Sequence, residues 1–584
     1  MRPSPLAHTA TLLIVFLLVI HSPYVDAVNL QACGTRLQEQ QNEVQSTTHT
    51  TESPPLLDVS YEQCLVECGT GMGDVDLFNF SAWLLFTLVS QIPFAEHPWD
   101  DLVSFFIAMG SPALAAYSLQ ITHLNARFIA TAFLDVKYPN SKLIPIVLTA
   151  FHHVPVRLSH RPPFLHSLIV LPQNDEFWSH LLAAANKTRR WSTQVVTSYG
   201  WVILSVVMTL IDFISSRPGD IVYSVAAIWT FILPLIMCLL QVWCEPEPSH
   251  LRNSLDAANL KAWVATERRD QPVKSPLAIE SMKAEDVDLA RKDELKPVHV
   301  FNYSRAFITP LTAELILGLM KNAATNAEQK IPVGSPTGRV PAWVEAEGGK
   351  IHPENRVGTD TEVTEYCTRV LPQLKQNSDS ATQLEIQSPE MTKTTDPLLP
   401  LHDPRPVTPS RWASGTWKRV AIASALALGL QWGTVGAAVM AHYVAPPRGL
   451  GCRAFSFLLY GVAGTLSFFL FLASSILAHM SRPLQGQIYT RSWLHTCQNT
   501  GAIVCRRLGK CVAIASAVGI LLVCFFQVTG AFNNCFCSSI TFDKGKHSVA
   551  GPSTLRNWIG GLMVAFSTTI LFGFSMYLGL PPRR

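Results

Sequence analysis

The sequence predicts an all-α, polytopic transmembrane protein with seven or eight spans and a long, largely disordered polar insert. Hydrophobic residues make up 48% of the 584-residue chain and charged residues only 15%, where a soluble chain carries about 25% charge. Mean hydropathy is +0.22. The apolar residues also gather into runs that reach the roughly 20 residues a helix needs to cross a bilayer. The net charge of +3 is too small to point to nucleic acid, so the arrangement of Lys and Arg matters more than their sum.

The elements follow in chain order. Arg2, the apolar stretch 12–20 and the small-residue site Val25-Asp26-Ala27 predict a signal peptide over 1–27, with a retained signal anchor as the alternative. Residues 28–76 then start in the lumen. This segment is polar, too short for its own core without cross-links, and carries Cys33, Cys64 and Cys68 where oxidation is allowed. The first membrane region, 77–122, holds two apolar stretches. Residues 77–94 are weakened by Asn79, Ser90, Gln91 and Pro93, and residues 102–122 are interrupted by Gly110-Ser111-Pro112. Residues 123–194 contain only short apolar runs, 143–150 and 164–171, and read as a membrane-adjacent module with interfacial helices.

Residues 195–243 form a helix pair, 195–215 and 221–243, joined by the turn Ser216-Arg217-Pro218-Gly219-Asp220. The polar stretch 244–417 predicts a helix over 254–269 and a second starting with Thr309 as N-cap and Pro310 at the first position. That second helix passes through Leu311, Leu315, Ile316 and Leu319 and is too short to span. From about 322 the Ser, Thr, Pro, Lys and Glu content predicts disorder. Its Ser-Pro and Thr-Pro pairs are either phosphate acceptors or chance. Residues 418–584 form a four-helix transmembrane region with spans at 420–444, 454–480, 511–532 and 558–580, none with an acid or base inside.

Charge sets the orientation. Residues 123–194 carry Arg127, Lys137, Lys142, Arg157, Arg161, Lys187, Arg189 and Arg190 against Asp135, Asp175 and Glu176. The loop between Met480 and Cys511 carries Arg482, Arg491, Arg506, Arg507 and Lys510 with no acid. Both segments are expected in the cytosol, and the 244–417 insert with them. Cys452, Cys535 and Cys537 then face the lumen with Cys33, Cys64 and Cys68, and no pairing among them follows from sequence alone. One conflict stands: a lumenal start and a cytosolic 123–194 need an odd number of crossings, yet two apolar stretches lie between. Either 77–94 spans and 102–122 is re-entrant or interfacial, or residues 143–156 add a crossing.

Chemistry-bearing motifs are few. Asp212 is the one acid in an apolar stretch, near its end, where it reaches the interface. His152, His153, His160 and His166 cluster in sequence but have neither nearby Cys nor a helical ligand spacing. His442 and His479 sit at helix ends, which does not suit paired haem ligation. Gly69, Gly71 and Gly73 follow no strand, and there is no phosphate loop, nucleophile elbow or His-Glu-x-x-His. No catalytic, cofactor-binding or metal residue is assigned. Gly429, Gly433, Gly436, Gly461, Gly464, Gly560 and Gly561 read as close helix packing. Pro112 and Pro234 read as kinks, the alternative being broken helices that free carbonyls for a ligand.

Several stretches carry a family likeness. They are Ser90-Gln91-Ile92-Pro93-Phe94; Gly110-Ser111-Pro112-Ala113-Leu114 onward to Asn125; Leu168 to Trp178; Trp229 with Leu233-Pro234; and Gly449-Leu450-Gly451-Cys452-Arg453 before Leu459-Tyr460-Gly461. In these it resembles a family of uncharacterised fungal multi-pass membrane proteins. The resemblance covers most apolar regions and residues 123–194, brings no catalytic residues, and implies that 123–194 is folded. The function expected is a scaffold or sensor that recruits cytosolic proteins through 244–417. The alternative is a transporter or channel for a neutral or lipid-like solute; a lipid-directed enzyme has only the histidine cluster behind it.

Overall fold

The computed structural model describes residues 106–154, 156–158, 162–186, 248–267, 272–274, 282–284, 306–334, 343–346, 350–368, 411–444, 449–481 and 493–528, with short pieces at 57–60, 532, 537, 542, 547–550, 563–565 and 567–575. The expected signal peptide, the 77–94 stretch, the 195–243 helix pair and residues 369–410 lie outside the described residues. In order, the elements are β1 (Leu57–Ser60), α1 (Pro112–Ala132), α2 (Ile144–Ala150), β2 (Val156–Leu158), α3 (Pro162–Val170), α4 (Asp175–Ala185), α5 (Pro248–Asn259), β3 (Trp263–Val264), β4 (Val273–Lys274) and β5 (Met282–Ala284). They continue with α6 (Ile308–Glu328), α7 (Asp360–Thr368), α8 (Thr416–Val444), α9 (Cys452–Met480), α10 (Trp493–Val528) and β6 (His547–Ala550). The described chain is thus mainly helical, and α8 and α9 are each long and apolar enough to cross a membrane.

The buried residues fall into two clusters. One is a bundle core of α1, α8, α9 and α10, built on Leu114, Leu119, Ala423, Leu430, Phe468 and Ala513. Small residues let these helices approach closely. A Cβ on Gly433 would lie 2.1 Å from Thr568, and one on Gly110 would lie 1.8 Å from the Ala513 carbonyl oxygen. Helix α1 runs antiparallel to α8, with Ala113 beside Gln431 and Asn125 beside Arg419. Helices α9 and α10 are antiparallel too, since Ser467 donates to the Gly509 carbonyl and Ser474 to that of Ala502.

The other cluster is the core of a globular module drawn from residues 129–184, 251–282 and 313–367. Helix α3 is apolar on nearly every side, so it is enclosed rather than laid on a surface. Its Leu168, Ile169 and Val170 are fully buried. In α5 the stripe Leu251, Leu255 and Ala258 has helical spacing and faces inward. The strand pair β2–β5 ties Val156 to Ala284 across the two segments.

Arg356 locks the module's centre. Its guanidinium makes a two-pronged contact with Asp175, 2.8 Å on each side, and donates to the Val170 and Leu171 carbonyls that close α3. Burial pulls its pKa down, but the Asp175 contacts and the Tyr138 hydroxyl more than reverse this and hold it above the usual value. Asn174 bridges the same spot, accepting from the Trp263 N–H and donating to the carbonyls of Trp263 and Ser167. Trp178 donates to the Leu168 carbonyl at 3.0 Å.

Several expectations need correction. The short apolar runs near 143–150 and 164–171 do form helices, but as core elements of the module rather than interfacial ones, because α1, α4 and α6 pack against the first and α6, α7 and β3 against the second. The expected 254–269 helix is α5 followed by β3, since the buried stripe starts earlier, at Leu251, and Trp263 and Val264 pair with β4. The helix at Thr309 runs to Glu328, with Phe307 as N-cap and Thr309 buried inside it, because Met320, Ala323, Ala324 and Ala327 continue its inward stripe. Disorder from 322 is therefore overturned for the described residues 322–334, 343–346 and 350–368: α7 places Val363, Tyr366 and Cys367 in the core, and Asn326 donates to the Tyr366 carbonyl. The boundary drawn at 122 falls inside α1, which leaves the bundle and enters the module. Finally, Arg506, Arg507 and Lys510 lie on a continuous 36-residue helix, not in a loop.

Candidate functional site: the broken helix and the bundle–module junction

Pro112 lacks an N–H and its ring obstructs the turn before it, so a helix cannot run through it undisturbed. Residues 106–110 are helical and α1 restarts at Pro112, with Ser111 at φ −139° and ψ 79° between them. An unbroken helix would join the Ala113 N–H to the Met109 carbonyl. Here each goes elsewhere. The Ala113 N–H donates to Gln431 Oε1 at 3.0 Å, and the Tyr460 hydroxyl donates to the Met109 carbonyl at 2.5 Å. Ser111 Oγ donates to the Gly464 carbonyl at 2.9 Å. Gln431 Nε2 donates in turn to the Gly461 carbonyl and to Thr465 Oγ1, at 2.8 and 2.9 Å. Gly464 is the residue that admits this arrangement, since a Cβ there would lie 3.2 Å from the Gly110 carbonyl oxygen.

Three turns further on, α1 meets the module. Arg419 Nε donates to Asn125 Oδ1 at 2.9 Å, and Asn125 Nδ2 donates to the Ala306 carbonyl at 2.9 Å while lying 3.2 Å from His152 Nε2. One buried amide thus ties α8, α1 and the start of α6 together. The Arg419 guanidinium also lies 4.1 Å over the Phe128 ring and donates to the Ser414 carbonyl. Next to it, Gly415 takes φ +64°, a left-handed turn that favours glycine. The Ser414 N–H donates to the Glu314 carboxylate of α6. An aromatic cluster seals the joint: Trp412 packs against Phe307 at 5.2 Å and His479 at 4.5 Å.

The residues singled out in sequence scatter among these features. Pro112 makes the break. His152 joins the Asn125 cluster, whereas His166 faces Thr364 at 3.3 Å, with burial lowering its pKa to about 4. They have separate partners, and among the described residues no group of three His, Cys, Asp or Glu side chains converges. His442 stacks on Phe457 and His479 donates to the Arg411 carbonyl. Among the glycines, Gly433, Gly461 and Gly464 make tight contacts and Gly429 meets nothing. Asp212, Pro234, His160 and the glycines at 69–73 and 560–561 lie outside the described residues. Gln431, Asn125 and Arg419 were missed; the available signal was a lone amide within an apolar run, a common form of interhelical bond. Cys452 and Cys537 form a disulfide with Cα atoms 5.4 Å apart. Comparison with protein-family models, curated proteins and solved structures finds no match for the chain.

Replacing Asn125 with Leu removes three contacts and leaves the Ala306 carbonyl and the Arg419 Nε–H without their partner, at an expected cost on the order of 2–4 kcal/mol. Arg419→Leu is expected to cost a similar amount, and the double variant clearly less than the sum, because both act on one network. Thermal unfolding of the detergent-solubilised chain checks this, and strict additivity would show that the two side chains act independently.

Proposed function

We propose that the chain is a multi-pass integral membrane protein of the secretory pathway, acting as a non-enzymatic scaffold or sensor whose cytosolic module is keyed to its membrane bundle. The observation that carries this reading is the Asn125–Arg419 network, which ties a helix of the bundle, the start of another and the module into one joint. Any rearrangement of α1 against α8 moves the module with it. Large apolar side chains left exposed along the bundle, among them Met440, Leu459, Leu466, Leu522 and Phe526, support a lipid surround.

Helix directions favour seven crossings. On this reading the segment from 106 into α1, antiparallel to α8, is the single crossing the orientation needs. With the 195–243 pair, α8, α9, α10 and the 558–580 stretch, the count is seven, and α1 and α8 meet the module at one end. At the other end the Cys452–Cys537 disulfide and the β1–β6 pairing, Leu57 opposite Ala550, gather the segments assigned to the lumen. The likeness to uncharacterised fungal membrane proteins fits this architecture, since its motifs at 110–125, 168–178 and 459–461 coincide with the helix break and the module's central knot. The transporter alternative draws on the span count and on Pro112 and Pro234; at Pro112 the freed Met109 carbonyl is taken by the Tyr460 hydroxyl, which favours packing over a ligand there.

Glycosylation mapping tests the architecture: Asn186 and Asn302 are expected to stay unmodified, and a sequon placed in residues 445–449 to be modified. A glycan on Asn186 or Asn302 would overturn the orientation. Deleting residues 369–410 tests recruitment, since it spares the module core; proximity labelling is expected to lose cytosolic protein partners while the melting temperature holds. An unchanged partner set would show that this tract recruits nothing.

A further inference from the structure

Among the described side chains helix α10 carries three free thiols, Cys497, Cys505 and Cys511, with Cys497 and Cys511 exposed and Cys505 half-buried. Their heights follow from the packing of α10 on α9. Ser467 lies beside Gly509, and Ser474 beside Ala502. On α9 the exposed large apolar side chains run from Phe455 to Phe469, and no residue from 470 to 480 is exposed. On α10 itself Arg506, Arg507 and Lys510 form a basic run, no charged residue follows Lys510 up to Val528, and the large exposed side chains beyond it, Val518, Leu522 and Phe526, are apolar. A run of basic side chains followed by an uncharged stretch with an apolar outward face marks the change from headgroup to hydrocarbon.

Cys505 and Cys511 bracket that basic run. Cys511 lies on the outward face of α10, with Val518, Leu522 and Phe526 exposed further along it, while Ala502, Arg506 and Ala513 are buried on the opposite face. An acyl chain on Cys511 would pass directly along this outward face into the hydrocarbon. Cys497 is exposed on the same face, but about 20 Å further from the bilayer along the helix axis. Juxtamembrane cysteines beside basic residues are the substrates of reversible S-acylation.

We propose that Cys511, with Cys505 as a second acceptor, is S-acylated at the cytosolic membrane surface; this rests on the orientation given under the proposed function. The donor is a long-chain acyl-coenzyme A thioester, delivered by a membrane acyltransferase. The cysteine sulfur attacks the acyl carbonyl carbon and a new carbon–sulfur bond forms. The bond to coenzyme A breaks, and its sulfur takes the proton that the cysteine loses; nothing is oxidised or reduced.

The test uses the full-length chain in its native membranes. Free thiols are blocked, thioesters are cleaved with neutral hydroxylamine, and the thiols released are captured and located by mass spectrometry. Hydroxylamine-dependent capture is expected at Cys511, lost in the Cys505→Ser, Cys511→Ser double variant and retained in Cys497→Ser. Should the double variant fail to accumulate, the sites mapped on the wild-type chain decide the matter. Release at Cys497 alone, or at none of the three with Asn186 unglycosylated, overturns the acylation but leaves the orientation standing. No release together with a glycan on Asn186 overturns both.

Discussion

The rest of the bundle is arranged around a helix that is broken where water is scarce. Opening a helix frees an N–H and a carbonyl, and each group left unpaired in an apolar interior costs several kcal/mol on the order of a lost hydrogen bond plus desolvation. The freed pair at Met109 and Ala113 is answered by Tyr460 of α9 and Gln431 of α8. Those two bonds set how far α1 sits along both neighbours, and Gly110, Gly461 and Gly464 provide the room. Once that register is set, Asn125 falls beside Arg419, and the module is joined to the bundle at one place.

The module follows a different logic. No single segment can bury its own apolar face, so 123–186 supplies α2, α3 and α4, and the stretch from 248 to 368 supplies α5, α6 and α7. Arg356 closes the assembly by satisfying the last carbonyls of α3 while it pairs with Asp175. The cost of burying a guanidinium is offset only because nearly every donor finds an oxygen. The module core and the bundle core share α1, which runs through both.

What the sequence reveals divides along physical lines. Helices α8 and α9 were legible because apolar runs of bilayer length are a local signal. So was the Pro112 break, since proline interrupts a helix whatever surrounds it. The module was legible in its short helices but not in its extent. Its contacts join residues far apart, as when Arg356 meets Val170, and composition in the 322–368 tract masks a stripe of small residues, Ala323, Ala324 and Ala327, that buries well. The junction was the least legible part. Asn125 and Gln431 look like minor polar exceptions until the structure shows what they bond.

The central claim is that Gln431 is held in place by the break at Pro112, and a double-mutant cycle tests it directly. Unfolding free energies would be measured for Pro112→Ala, Gln431→Leu and the double variant. If the account holds, Gln431→Leu costs about 1–3 kcal/mol in the wild-type background and much less once alanine at 112 lets the Ala113 N–H return to the Met109 carbonyl. Equal costs in both backgrounds would contradict it, because Gln431 would then owe nothing to the broken helix.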